Sequence, residues 1–459
     1  MSRRVFGALA CSLLAIAACG GDDDSDDGSA SDPPAGADGG DAAFTGEVTV
    51  DDIGRLQPAE CTGDNAASDD DGVSADTVNV ATVSIDFDAL AEIGFTVAGV
   101  DPTETFSVFA DELNENGGVC GRTVDVQRVV YDVLQAQGGQ ACVEATEDRA
   151  NLVVNTATYD EVLCLTDAGV PAYTGADVTE ADIEAAEGLL FTRFPVLEDQ
   201  YAATVQHALD DGALEGKVGV WYGSVFPNQG DAVEDVVLPM LDDADVDYVA
   251  YRTDYAGPSD PEGNTVLTSA ATDFAGQDVE TVLMFVQNTN HTGMETELDA
   301  QGLSPRFISA PISANSSNEV FADRFGTREI ADGQQFATFT LGATELGPDD
   351  PIAAACHEIW TRRTGDEIEP ATFDYGQITS TCVQVDVLAA ALSLAGGDLT
   401  RDRFVAALQS LPSYRVPPLL GEVAWTAEEH AGPAVFSAQT YDGAANTVAT
   451  DEDTFEIGS

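Results

Sequence analysis

"FADELNENGGVCGRTVDVQRVVYDVLQAQGGQACVEATED", residues 109–148, changes its periodicity twice within a short span. Phe106, Phe109 and Leu113 recur at helical spacing over 105–118, and the pair Gly117-Gly118 stops that helix. TVDVQRVVYD (123–132) is a β-branched run that predicts a strand, and GQACVEATEDR (139–149) returns to a helical pattern. Helix, strand and helix in close succession make the unit of an α/β protein, in which parallel strands are covered by helices on both faces.

The same alternation extends in both directions. VNVATVSI (78–85), NLVVNT (151–156) and GLLFTRF (188–194) complete a first strand series. KVGVWYG (217–223), VDYVAYRT (246–253), TVLMFVQ (281–287) and RFISAP (306–311) form a second. Between them DQYAATVQHALDDG (199–212) places Tyr201, Val205 and Leu209 on one helical face. A helical tail over 351–411 follows, and the strands GEVAWT (421–426) and AVFSAQTYDG (434–443) close the pattern. Two series predict two lobes, and about 380 residues of ordinary apolar content can bury two cores. No tandem repeat is evident.

Charge narrows the partners. The sequence has 82 acidic residues against 17 basic ones, a formal net charge of −65, and Lys217 is its only lysine. Such a field repels nucleic acid and anionic lipid, which excludes DNA and RNA binding. An acidic coat spread over the whole chain suits solubility in a saline habitat. Asp22–Asp27 and Asp69–Asp71 lack the ligand and glycine spacing of a calcium loop.

Arg3 and Arg4 precede the apolar run Val5–Ala18, too short to span a bilayer comfortably, which reads as a secretory signal over residues 1–18. Ile16-Ala17-Ala18-Cys19 resembles the lipobox of bacterial lipoproteins, which implies lipidation of Cys19; an ordinary signal peptide with an incidental cysteine is the alternative. Residues 19–75 are rich in Asp, Gly, Ala and Ser and predict an acidic disordered linker, because such a segment buries too little apolar surface to offset its ordering entropy.

Cys11 leaves with the signal and Cys19 takes lipid, so six cysteines remain, an even number that suggests disulfides in an exported chain. None has the close CxxC spacing of a zinc site. If strands 123–132 and 151–156 flank strand 78–85, right-handed crossovers put the helices at 138–149 and 160–169 on one face, which pairs Cys142 with Cys164. Cys356 and Cys382 lie on consecutive helices of the tail and form a plausible second bridge. Cys61 is left for Cys120 by elimination.

The stretch 109–148 resembles the N-lobe of the type 1 periplasmic binding proteins, and most closely the solute-binding components of branched-chain amino-acid ABC transporters. The shared order is a helix ending in Asn, a Gly-Gly turn, a Gly-Arg pair, a strand ending in an acid, and a helix. DAGVPAYTGA (167–176) resembles the approach to the family's fourth strand, and GKVGVWYGSVFPNQG (216–230) the strand that opens its second lobe. VETVLMFVQNTNHTGMETELDAQGLSPRFIS (279–309) resembles a later strand–helix–strand, and GEVAWTAEEHAGPAVFSAQTYD (421–442) the closing hairpin. The likeness runs from about Asp76 to Asn446.

The resemblance implies an α/β fold of two doubly wound parallel-sheet lobes with three hinge crossings, near Thr192–Val196, Phe336–Leu341 and Ala434–Ala438. Lobe 1 would comprise 76–193 plus 340–434, and lobe 2 194–339 plus 435–459. The ligand would lie in the cleft, beyond the carboxyl ends of the strands. By the same resemblance, the loops after the third and fourth strands hold it: Asn155, Thr156, Ala157 and Thr158, then Ala176 and Asp177. Asn155 stands where the family has a serine, and Val178 where it has a threonine. From the second lobe the resemblance expects an aromatic, Tyr222 or Phe226, and another near Asn288, where none stands. The family's amine-binding glutamate would fall near Pro311, which has no acid; Asp86 or Asp177 could replace it. A neutral or weakly polar solute, an amide or a small carboxylate, fits as well as an amino acid.

Blander readings stand beside these. Thr156 and Thr158 could cap the helix at 160–169, Asp86 could be a turn acid, and Trp221 reads as core. His207, His291, His357 and His430 are scattered and read as structural. No GxSxG, HExxH or P-loop motif is present, so the expectation is a protein with no catalysis, cofactor or metal. The sequence thus points to a monomeric solute-binding component of an ABC importer, meeting a permease and touching the membrane through its lipid alone. A ligand-sensing receptor of the same fold is the alternative.

Overall fold

The computed structural model describes residues 56, 61 and 63–457, except 88, 90–99, 133–134, 136, 157, 160–161, 224–226, 254–260, 287, 312–331, 342–344, 371 and 446. The signal, Cys19, Ala157, Phe226 and most of the expected linker lie outside the described residues.

A first sheet is wholly parallel, in the order β2-β1-β3-β4-β5. Its strands are β1 (Thr77–Ile85), β2 (Thr123–Tyr131), β3 (Val153–Thr156), β4 (Ala172–Thr174) and β5 (Leu190–Thr192). Val80 to Ser84 of β1 are buried without a break, as expected of a strand covered on both faces rather than one. Helix α1 (Pro102–Glu115) starts where Asp101 Oδ1 accepts from Thr103 N and Glu104 N. It ends in a turn where Gly118 passes the chain so closely that a Cβ would sit 2.0 Å from Arg122 O. On the opposite face lie α2 (Gly138–Thr146), α3 (Val162–Asp167) and α4 (Glu180–Ala185), the last opened by a Thr179/Asp182 capping box.

The second sheet has seven strands in the order β14-β13-β10-β9-β8-β6-β7. Its parallel part is β6 (Lys217–Gly223), β7 (Asp247–Arg252), β8 (Thr281–Val286), β9 (Arg306–Ser309) and β10 (Gln335–Thr338). One face carries α5 (Leu197–Asp210), α6 (Pro227–Ala232) and, after a π-turn, α7 (Leu238–Asp243); the other carries α8 (Pro261–Gly276) and α9 (Asn288–Ala300). Trp221 is fully buried in this second core.

After β10 the chain returns to the first sheet as α10 (Pro351–Thr364), α11 (Phe373–Ala395) and α12 (Arg401–Leu408). Phe106, Phe109 and Leu113 of α1 pack there against Val383, Leu388 and Trp360. Helix α11 is buried along most of its length and is correspondingly apolar on most of its circumference. Three disulfides join Cys61 to Cys120, Cys142 to Cys164 across α2 and α3, and Cys356 to Cys382 across α10 and α11.

The structure departs from expectation in three places. Strand 421–426 does not form a hairpin with 434–443: a short β12 (Glu422–Val423) pairs with β11 (Tyr414–Arg415). Instead β13 (Val435–Asp442) runs antiparallel between β10 and a final strand, β14 (Thr447–Glu456). Short β10 and acidic β14 carry too little apolar alternation to read as strands. The third departure is the end of the expected linker. Leu56 is fully buried, Asn65 Nδ2 donates to Cys120 O, Ala66 N donates to Gly397 O, and buried Arg122 donates to Ala66 O, Ser74 O and Gly397 O. A guanidinium enclosed in this way requires acceptors, and the polar segment before residue 75 supplies two of them.

Candidate functional site

Three segments cross between the sheets, and they are tied to one another. Thr192 N donates to His430 O and Gly432 N to Phe194 O, each at 2.9 Å, joining the first and third crossings. Trp425 Nε1 donates to Thr192 O at 3.0 Å from a buried site. The second crossing is pinned where Leu341 N donates to Pro418 O and Leu420 N to Phe339 O.

Against these crossings opens a cavity of about 450 Å³. It lies at the carboxyl ends of β1, β3, β4 and β5, which contribute Ser84, Asn155, Gly175 and Arg193. The order β2-β1-β3 makes the β1/β3 junction a switch point: successive crossovers leave in opposite directions there and open a crevice. Pro311, Thr338–Leu341, Pro418 and Leu419 bound it from the hinge side, and the first turns of α11 close another wall.

Of the residues picked from sequence, Asn155, Thr158 and Asp177 line this cavity together. Asn155 is 7% exposed and its Oδ1 has no hydrogen-bond partner. Thr156 is buried behind the wall; its Oγ1 accepts from Thr158 N at 3.1 Å and lies 3.2 Å from Thr158 Oγ1. Burial pushes the Asp177 carboxyl up to about 6, opposed by the Gln200 amide that donates to its Oδ1 at 3.2 Å.

The others are not gathered there. Asp86 directly follows β1, and its Oδ1 accepts from Ala89 N. Ala176 is buried, with its N–H on Thr174 Oγ1. Tyr222, at the end of β6, donates to Glu234 Oε1 at 3.2 Å, and burial, helped by that carboxylate, pushes its hydroxyl up to about 12. Asn288 opens α9 beyond β8.

Two groups of lining residues escaped the sequence reading. Arg193 is 8% exposed, its guanidinium 4.7 Å over the Phe194 ring, and its Nε and Nη1 find no acceptor. Burial pulls its pKa down, against the Tyr173 and Tyr414 hydroxyls beside it. Gly175 makes room for it, since a Cβ there would lie 2.3 Å from Nη2. Arg193 was hidden inside the strand-like run GLLFTRF. The second group, Gln377, Ser380, Thr381 and Gln384, lines the cavity from α11. Their i, i+3, i+4, i+7 spacing draws a polar stripe along an otherwise apolar helix, the signal that could have found them.

The histidines serve packing. His430 stacks on Phe191 and reaches Leu190 O, and His357 stacks on Tyr375. In the second lobe His291 Nε2 lies 2.5 Å from Ser309 Oγ, and its Nδ1 lies 3.3 Å from Glu295. That serine–histidine–carboxylate line is buried in the second core. Among the described residues no cluster of His, Cys, Asp and Glu is arranged to hold a metal ion.

No protein-family model matches the chain, and neither does any curated protein. Solved structures do match. A branched-chain amino acid ABC transporter protein from Thermus thermophilus with bound valine superposes with a TM-score of 0.63 at 16% identity, covering 83% of this chain and 97% of its own. A fatty acid ABC transporter substrate-binding protein from Thermomonospora curvata gives 0.62 at 16% identity, over 84% and 94%. A solute-binding protein of an ABC transporter from Rhodopseudomonas palustris, in complex with 3,4-dihydroxybenzoic acid, gives 0.61 at 13% identity, over 83% and 98%. The chain therefore has the fold of the type 1 periplasmic binding proteins, two α/β lobes joined by three crossings.

Proposed function

We propose that this protein is an extracytoplasmic solute-binding component of an ABC importer, which captures a small polar ligand by closing two lobes and does no chemistry on it. The observation that carries the reading is the cavity at the β1/β3 switch point, walled by the crossings about which the lobes would turn. Ligand held against both lobes favours one closed shape, which a membrane permease can read. The signal-like N-terminus and Cys19 fit a monomer tethered by lipid, with small solute and permease as its partners. The three neighbours carry valine, a fatty-acid assignment and a dihydroxybenzoate on one architecture, so the fold supports capture without naming the solute.

The test is a thermal-shift titration of the full chain against amino acids, amides, ureas and short carboxylates. A true ligand raises the melting temperature with concentration, following mass action. No saturable shift from any of these classes would overturn the proposal.

A further inference from the structure

Resting on that solute-binding reading, we infer that the cleft takes an organic carboxylate with an apolar body, and that Arg193 is the group that receives the carboxylate. Arg193 is the only cationic side chain among the described residues lining the cavity. It is more than nine-tenths buried beside the Tyr173 and Tyr414 hydroxyls, and two of its nitrogens, Nε and Nη1, are enclosed with no acceptor of their own. A buried guanidinium left in that state is costly, and a carboxylate is the partner whose two oxygens match its fork. In a chain of net charge −65, the general field repels anions, so an anionic ligand needs a local cation of this kind.

The surroundings define the rest of the molecule. Phe87, Phe194, Phe339 and Phe373 line the cavity with Leu346 and Leu419, a wall that suits aliphatic or aromatic carbon. Phe194 and Phe339 lie 4.9 Å apart, so one ring both stacks under the guanidinium and joins this wall. Gly175 is part of the device, because any larger residue would displace the guanidinium.

The experiment compares acids with their neutral amides on the full chain, by calorimetry and thermal shift: benzoate with benzamide, and 4-methylpentanoate with 4-methylpentanamide. At least one acid should bind saturably, with its amide weaker by roughly 30-fold, the scale of a hydrogen bond to a charged group. Arg193→Gln should reduce that acid's affinity by a similar factor, and Arg193→Lys should recover part of it. If Arg193→Gln fails to fold by circular dichroism, the acid–amide ratio on the unaltered chain decides alone. Amides binding as well as acids, or an unchanged affinity in a folded Arg193→Gln, overturns the inference and leaves the solute-binding reading standing. If neither acids nor amides nor the wider panel bind, both fall.

Discussion

The carbonyl oxygen of Arg193 and the α-carbon of Gly432 face each other so closely that a Cβ at position 432 would lie 1.9 Å from that oxygen. This contact, between the first and third crossings, is what lets Gly432 N reach Phe194 O. Gly432→Ala must force the two crossing segments of the hinge apart and should cost more than about 2 kcal/mol. Gly139→Ala is the control: on α2 a Cβ meets nothing within 4 Å, and the change should be neutral or slightly stabilising. Urea denaturation of both variants measures the difference; equal midpoints would mean that the hinge tolerates separation.

Asp177 should make stability depend on pH. Its folded pKa is raised, from 3.8 to about 6, so the folded protein holds the proton more tightly than the unfolded chain. The stability this gives is complete below 3.8 and is lost as the pH rises through about 6. Asp177→Asn should therefore be more stable than the parent at pH 7.5, by about 3 kcal/mol at most, with the gap closing near pH 4. Melting curves across that range would show it; a gap independent of pH would contradict it.

Glu112 predicts the opposite slope. Arg362 bonds to its carboxylate at 2.8 and 3.0 Å and Arg363 at 2.8 Å, and together they hold it down at about 2 against the cost of burial. Its contribution is present above 4.5 and is lost as the pH falls toward 2. Glu112→Gln should cost about 2–3 kcal/mol at pH 7 and progressively less below pH 4.5, read by denaturant titration at several pH values.

Thr156 and Thr158 should separate. Thr156 is 1% exposed and serves the turn, so Thr156→Ala should lose about 1 kcal/mol of stability. Thr158 faces the cavity, so Thr158→Ala should weaken the best-binding acid of the panel by several-fold with little change in melting temperature. Unchanged affinity in Thr158→Ala would assign its hydroxyl to the turn alone.

How much of this could be read in advance follows from burial. β6 and β8 are covered on both faces, so KVGVWYG and TVLMFV stand out as apolar runs that helical spacing cannot imitate. β14, TVATDEDTFE, resembles polar loop until its pairing with β13 is known. At the site, Asn155 and Thr158 were accessible because the family resemblance points to the loop after β3, whose end is visible in sequence. Arg193 was not: its meaning depends on Gly175 and Phe194 leaving it enclosed and unpaired, a property of packing rather than of local pattern. The polar stripe of α11 reaches the cavity only after the chain has crossed the hinge twice.

Closure of the lobes is tested most directly by pulsed electron spin resonance. Spin labels would be placed at Gln140→Cys on α2 and Asp299→Cys on α9, exposed positions in the first and second lobes. With the best-binding panel acid at a concentration that saturates the thermal shift, the interlabel distance distribution should shorten and narrow. A distribution that is the same with and without that acid would contradict the account.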